Sequence, residues 1–430
     1  MAETPTAKPS VSRWQFPEGV EAGELYVVVP GQGLLRLEAG AFEVALATRE
    51  SSVELVAAPG GAVFASFYTF GTARIDGAQV KRVSPRSYSQ LSFVATDDAW
   101  GTPDQFTWEV HHFDGSNWTP VAKRAAFKGR FDDNKLNALA VNSQGAWVSS
   151  WNGLFLRSGT KWLPIAPPSA VQSERAPRRL TVFKDSLIAS YDEGQFMRVG
   201  GAWAKLLWQS PAGIQAVNSA GLAVGRAGKT TLEIGWLGTD RDHLSVDVPH
   251  VQWVEDLDVD DADRIWIVGD DTLLVLDATG HLIAEYGPGT LRGVGGQLER
   301  LAVTRGGPRE LPTAQAPLER TLRGRVEIYK NGQPLRGASV VICSSILSCE
   351  NAPWKLEATT NAEGRFEFQG VPTAEYYIRV TPPDIPECET PFTENPPVEV
   401  VMTAACPSAA KDPCEVPVFR ACLPFEMPPG

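Results

Sequence analysis

The first 342 residues contain no cysteine; all six (Cys343, Cys349, Cys388, Cys406, Cys414 and Cys422) fall in the C-terminal region. Disulfides can therefore staple only that region, and the rest must hold together by burial alone. No run of about 18 apolar residues occurs, which excludes a membrane-spanning helix. The opening MAETPTAKPSVSRW lacks the basic start and apolar core of a secretion signal, and residues 1–20 read as a flexible segment. Positive charge is in deficit. A formal net charge of −12 disfavours nucleic acid and anionic membrane surfaces as partners. Histidine is scarce, with five in the chain. Walker-type loops, GxSxG, HExxH and a GxGxxG opening a helix are all missing.

What is abundant is turn and strand chemistry: 39 Gly, 33 Pro and 13 Trp. A hairpin of two short strands around a Gly turn recurs as LLRLEAGAFEVAL (34–46), ARIDGAQVKRV (73–83), EVHHFDGSNWTPV (109–121), GLFLRSGTKWLPIA (153–166), QFMRVGGAWAKLL (195–207) and LLVLDATGHLIAEY (273–286). In each, a Gly sits where a tight turn needs positive φ. A second strand type recurs as VELVAA, LSFVAT, LNALAV, RLTVFK, IQAVNS, VEDLDVD and LERLAVT, starting at 53, 91, 136, 179, 214, 254 and 298. The mean spacing of about 41 residues is that of four-stranded propeller blades. The series opens on a second-strand-like ELYVVV (24–29) and ends on a first-strand-like LERLAVT (298–304), the offset that closes a ring. The expectation is all-β: a seven-bladed β-propeller over 21–304 whose last strand completes the first blade.

LNALAVNSQGAWVSSWNGLFLRSG resembles the propeller repeats found beside bacterial two-component sensors, and DLDVDDADRIWIVGDDTLLVLDATG resembles NHL-type repeats. Both resemblances imply architecture, not catalytic residues, so Trp147 and Trp162 are expected in blade packing. Pro-rich residues 305–319 read as a linker. Beyond them GRV from Gly324, PLRGASV from Pro334, NAEGRFEF from Asn361, GVP from Gly370 and YYIRV from Tyr376 resemble the carboxypeptidase regulatory-like family, a transthyretin-like β-sandwich, placed at 320–403. Ala374 and Glu375 depart from the usual Gly before Tyr. The resemblance implies a noncatalytic accessory module common in bacterial envelope and secreted proteins. Residues 404–430 are a Cys/Pro-rich tail that would not fold by itself.

The cysteines are disulfide candidates and point to an oxidising compartment; a reduced or metal-binding set is the alternative. Zinc is disfavoured by the lack of CxxC and of any His after His281. The expected location is extracytoplasmic, periplasmic, outer-surface or secreted, with a lipid anchor open if the N-terminus is processed. His111 and His112 are neighbours on one strand and point to opposite faces, so they do not share a metal. His243, His250 and His281 are scattered over the repeat. DLDVDDADR (256–264) fails the calcium-loop pattern and is expected as a strand with a solvent-facing Asp row and a turn. No metal or cofactor is expected.

The remaining candidate is a face of loops. Connections between second and third strands supply Tyr68, Phe70, Trp100, Trp151 and Tyr191; loops leading into new blades supply Arg130, Trp208 and Trp253. Exposed aromatics there would recognise protein, peptide or glycan, unless they fold back to pack between blades. The leading expectation is a noncatalytic binding or scaffold protein. The alternatives are a propeller-type lyase, lactonase or glycan-active enzyme with its site in the channel, or a sensory input component.

Overall fold

A computed structural model describes residues 16–103, 109–127, 136–172, 176–208, 212–239, 243–251, 253–269, 272–287, 290–294, 297–315, 319–328, 331–343, 355–372, 375–383, 400–405, 414–416 and 418–421. Apart from a 3-10 turn at Arg124–Phe127, the regular elements among them are strands. The chain divides into two compact units: residues 1–286 with 298–313, and residues 287–297 with 314–430.

In the first unit the described residues form seven four-stranded antiparallel sheets, numbered here one to seven along the chain. Their innermost strands are Arg300–Val303 (sheet one), Ser52–Ala57, Tyr88–Ala95, Leu136–Asn142, Arg179–Phe183, Ala216–Val217 and Asp256–Val259. Sheet one is built from both ends of the unit. Arg300–Val303 pairs antiparallel with Leu25–Val29, with Leu25 opposite Val303 and Val28 opposite Arg300. Inner strands pack on their successors, one to two, two to three, three to four and four to five. Six packs on seven, and seven packs back on one. Thr181 Oγ1 links five to six, donating to Ile214 O at 2.9 Å. This is the arrangement of a β-propeller.

Apolar side chains fill the spaces between successive sheets. Phe64, Tyr88, Leu91 and Phe113 join sheets two and three; Trp147, Leu180, Leu187 and Phe196 join four and five. Trp147 is fully buried, its Nε1 donating to Asn142 Oδ1 at 3.1 Å while Arg198 of sheet five lies 5.2 Å above its ring. Trp162 packs edge-on against Phe127 at 5.1 Å. The outer hairpins turn through left-handed glycines as the sequence requires, for example Gly77 (φ 57°) and Gly280 (φ 81°). Sheet six shows no Gly hairpin in its sequence because Thr231–Trp236 and Leu244–Asp247 are joined by a longer connection.

The turn after the inner strand carries a latch to the next sheet. Asn142 Nδ2 donates to Asp185 O at 2.9 Å, and Asn218 Nδ2 to Asp260 O at 2.9 Å. In sheet seven this position is Asp260, which binds Arg264; Arg264 Nη2 then donates to Gly306 O and Pro308 O at 2.8 Å each, just beyond the closing strand. Phe16 lies 5.4 Å from the Arg264 guanidinium, so the described N-terminal residues pack on this latch.

In the second unit, Glu319–Ile328 pairs with Arg365–Pro372, and Ser339–Cys343 lies between Lys355–Thr359 and Glu375–Thr381, which also pairs with Val400–Ala405. Alternate residues of these strands, including Leu322, Val326, Val340, Ile342, Phe366, Phe368, Ile378 and Val380, meet in one core. The tail contributes as well. Cys414–Glu415 and Phe419–Ala421 pair in parallel with Glu319–Ile328, and Phe419 enters the core. Asn361 Oδ1 accepts from Glu363 N and Arg365 N at 3.0 and 2.9 Å, which closes the NAEG turn. Leu291 bridges Ala314 within this unit.

Candidate functional site in the central channel

Inner-strand residues alternate between the space separating sheets and the ring axis. The axial set is polar. It lines a cavity of ≈ 730 Å³ with Glu54 from sheet two, Arg179 and Thr181 from five, Gln215 and Arg226 from six, Asp256 and Asp258 from seven, and Arg300 from one. The cavity continues to the turns after the inner strands, at Gly60, Asn218, Ser219, Asp261 and Arg305.

Several of these groups are occupied in holding the ring. Asp256 Oδ2 accepts from Leu301 N at 3.0 Å and Asp258 Oδ2 from Val303 N at 2.9 Å, so sheet seven satisfies edge N–H groups of the closing strand. Glu299 does the same for Ser52 N at 3.0 Å, and Ser92 Oγ for Val141 N at 2.9 Å. Arg226 Nη1 donates to Val254 O at 2.7 Å, Asp261 Oδ1 accepts from Ser219 N at 2.9 Å, and Arg305 pairs with Glu21. Glu54, Arg179 and Arg300 are different. Among the described residues they interact with neighbouring side chains through charge, and Arg300 Nε is buried with no hydrogen-bond partner there.

Burial pushes the Glu54 carboxyl up to about 8, with Asp256 adding to the rise and Arg300 and Arg179 opposing it. Asp258 is raised to about 7, chiefly by burial, against the hydrogen bonds from Val303 and Val259. Asp256 is also raised by burial, while the Leu301 N–H and Arg300 pull it down. Arg179 is lowered by burial and by the like charge of Arg226. These side chains are half-buried, because they face the cavity rather than packed neighbours. A carboxyl with a raised value among guanidiniums can accept, donate or share a proton near neutrality.

The expected Asp row of 256–264 does not face solvent. Asp256 and Asp258 point into the channel, and Asp260 is fully buried, accepting from Arg264 Nε and Trp266 Nε1 at 2.7 Å each. The residues 260–263 do form the expected turn.

None of the described loop-face residues lines the cavity. Tyr68 and Trp151 are exposed, at 60% and 46%. Phe70 is half-buried, edge-on to Phe67 and beneath Arg82; Trp253 is half-buried with Lys229 at 5.8 Å. Trp100, Tyr191 and Trp208 are buried: Trp100 between His112 and Arg157, Tyr191 edge-on to Phe196, Trp208 edge-on to His243. Arg130 lies outside the described residues. The histidines each meet separate carboxylates: His111 Glu109, His112 Asp98, His243 Glu233, His250 Glu285 and His281 Asp277. Among the described residues no group of three or more His, Cys, Asp or Glu could hold a metal. Cys343 is buried and disulfide-bonded; Cys349, Cys388, Cys406 and Cys422 lie outside the described residues, as does the side chain of Cys414.

The axial residues had a signal in the sequence. Aligning the inner strands puts Glu54, Arg179, Gln215, Asp256 and Arg300 among apolar alternating positions, where a charged residue has to face either water or a cavity.

No family model matches the chain, and no curated protein matches it. Solved structures do. Apo AztD from Citrobacter koseri is 13% identical with a TM-score of 0.45, over 65% of this chain and 96% of that one. YCF48 bound to D1 peptide is 12% identical with a TM-score of 0.37, over 46% and 66%. PorZ, an essential bacterial surface component of the type-IX secretion system of Porphyromonas gingivalis, is 12% identical with a TM-score of 0.39, over 87% and 63%. No helix among the described residues is long and apolar enough to cross a membrane.

Proposed function

We propose that this is a binding protein of the bacterial envelope or secreted fraction, and that its seven sheets are the blades of one closed propeller whose ligand enters the central channel. The observation that carries this reading is the axial cavity of ≈ 730 Å³ with charged groups left over after ring closure has used the others. Its volume falls in the roughly 300–1,000 Å³ range of small-ligand sites. The ligand is therefore small, or is the end of a glycan or peptide. The exposed rings of Tyr68 and Trp151 offer a second contact on the loop face. On this reading the C-terminal unit is the carboxypeptidase regulatory-like sandwich, an accessory module closed by its tail, and the Cys343 disulfide fits an oxidising compartment.

The test is a screen of the full chain against glycan and peptide arrays, followed by variants. Saturable binding lost in Arg179→Gln and kept in Tyr68→Ala and Trp151→Ala supports the channel. Binding lost in the aromatic variants alone moves the site to the loop face and sinks the channel reading.

One observation favours an enzyme instead. Glu54, with a proton affinity near neutrality beside Asp256, has the character of a general acid or base. A channel lyase, lactonase or glycan hydrolase would convert an array hit into product, and Glu54→Gln would lower turnover far more than binding.

A further inference from the structure

Hydrogen-bond capacity decides which channel groups are left for a ligand, because three of its carboxylates already hold backbone N–H groups. Asp256, Asp258 and Asp261 accept backbone N–H groups, and Arg226 and Arg305 bind carbonyls or Glu21. What remains for a ligand is Arg179, Arg300 and Glu54, together with the Gln215 amide. Arg179 and Glu54 come from sheets five and two, so they face each other across the ring; Arg300 stands next to Glu54 in ring order. Glu54 and Asp256 offset the charge of Arg179 and Arg300, but the Arg300 fork still has an Nε with no hydrogen-bond partner among the described residues. A guanidinium presents a planar fork of donors that matches a carboxylate, whereas Glu54 and Gln215 are short acceptors and donors suited to hydroxyls.

Resting on the channel being the binding site, we infer that its ligand class is small hydroxylated carboxylates, the sugar acids, with the carboxylate held by Arg179 or Arg300 and hydroxyls by Glu54 and Gln215. A neutral sugar would leave the half-buried guanidinium forks without a bidentate acceptor. A bare anion would leave Glu54 and Gln215 without partners. Discrimination against either follows from the cost of unmet buried polar groups.

The experiment is isothermal titration of the full chain with glucuronate, galacturonate and gluconate, against glucose, acetate and inorganic phosphate. The expected result is saturable binding of at least one sugar acid. Glucose, acetate and phosphate should be weaker by about tenfold or more. Arg179→Gln and Arg300→Gln, each checked for an unchanged melting temperature, should weaken the sugar acid by a similar factor. If one of them fails to fold, the other and the Arg179→Lys variant carry the test. Glu54→Gln should weaken the sugar acid relative to acetate. Channel-dependent binding of neutral glycans or peptides without sugar acids overturns this inference and leaves the binding reading standing. Phosphate or acetate binding as well as sugar acid shows an anion site without hydroxyl recognition, which overturns it too. No channel-dependent ligand in either screen overturns both.

Discussion

Asp260 gathers four hydrogen bonds, from Ala262 N, Arg264 N, Arg264 Nε and Trp266 Nε1, with no exposed surface on either ion-pair partner. Removing one member of such a pair strands the other's charge. Asp260→Ala should cost roughly 3–5 kcal/mol, read by denaturant unfolding of the propeller. A cost under about 1 kcal/mol would mean that water replaces the carboxylate there. Glu54 acts through pH. Its carboxyl rises from 4.5 to about 8 on folding and that of Asp258 from 3.8 to about 7, so the folded chain holds protons that the unfolded chain has released. Stability from these groups is fully present below the unfolded values and falls as pH rises through the folded ones. The melting temperature should therefore drop between pH 5 and about 8, and Glu54→Gln should flatten that drop and melt higher than wild type at the alkaline end. An unchanged pH slope in the variant would remove Glu54 from the account.

At the scale of the element, two hairpin glycines separate backbone strain from crowding. Gly159 (φ 58°) has open space where a Cβ would stand, whereas at Gly280 (φ 81°) a Cβ would lie 2.5 Å from Val246 Cγ2. Gly159→Ala should cost about 1–2 kcal/mol, the left-handed penalty alone. Gly280→Ala should cost more, by roughly the 1–3 kcal/mol of overpacking, because sheet six has to give way. Equal losses, compared by thermal melts, would show that Val246 moves freely. The recurrence of these hairpins was legible because turn chemistry is local: a Gly between alternating apolar residues needs no distant partner to mean a hairpin. The aromatic loop residues were not legible in the same way. Trp100, Tyr191 and Trp208 have the composition of a recognition surface, but they are taken into packing with His112, Phe196 and His243, the first two pairs each within one sheet.

For the whole molecule, the closing strand is the decisive element. Leu25–Val29 is fully buried and depends on Arg300–Val303 for one of its two edges. A chain ending at residue 297 should lose the cooperative propeller transition and aggregate through the open edge, whereas one ending at residue 313 should keep it. Retention of the transition by the shorter chain, seen by calorimetry, would contradict closure as a requirement. The C-terminal unit answers to a different force. Reduction of the Cys343 disulfide should weaken that unit by roughly 2–5 kcal/mol and leave the propeller transition where it is.

The sequence by itself determined the strands, the Gly turns, the repeat of about 41 residues and the offset between its first and last members, since each depends on spacing along the chain. It also located the cysteines away from the repeat. Tertiary structure alone decided which polar residues are spent and which are left. Asp256, Asp258, Glu54 and Arg300 are alike on paper as charges in inner strands. Only the ring, by bringing residue 301 to residue 256 and residue 303 to residue 258, commits two of them to backbone N–H groups and leaves Glu54 and Arg300 facing the cavity. These contacts span about one repeat, 45 residues, and come from the packing of neighbouring sheets, which the local pattern of a single strand does not encode.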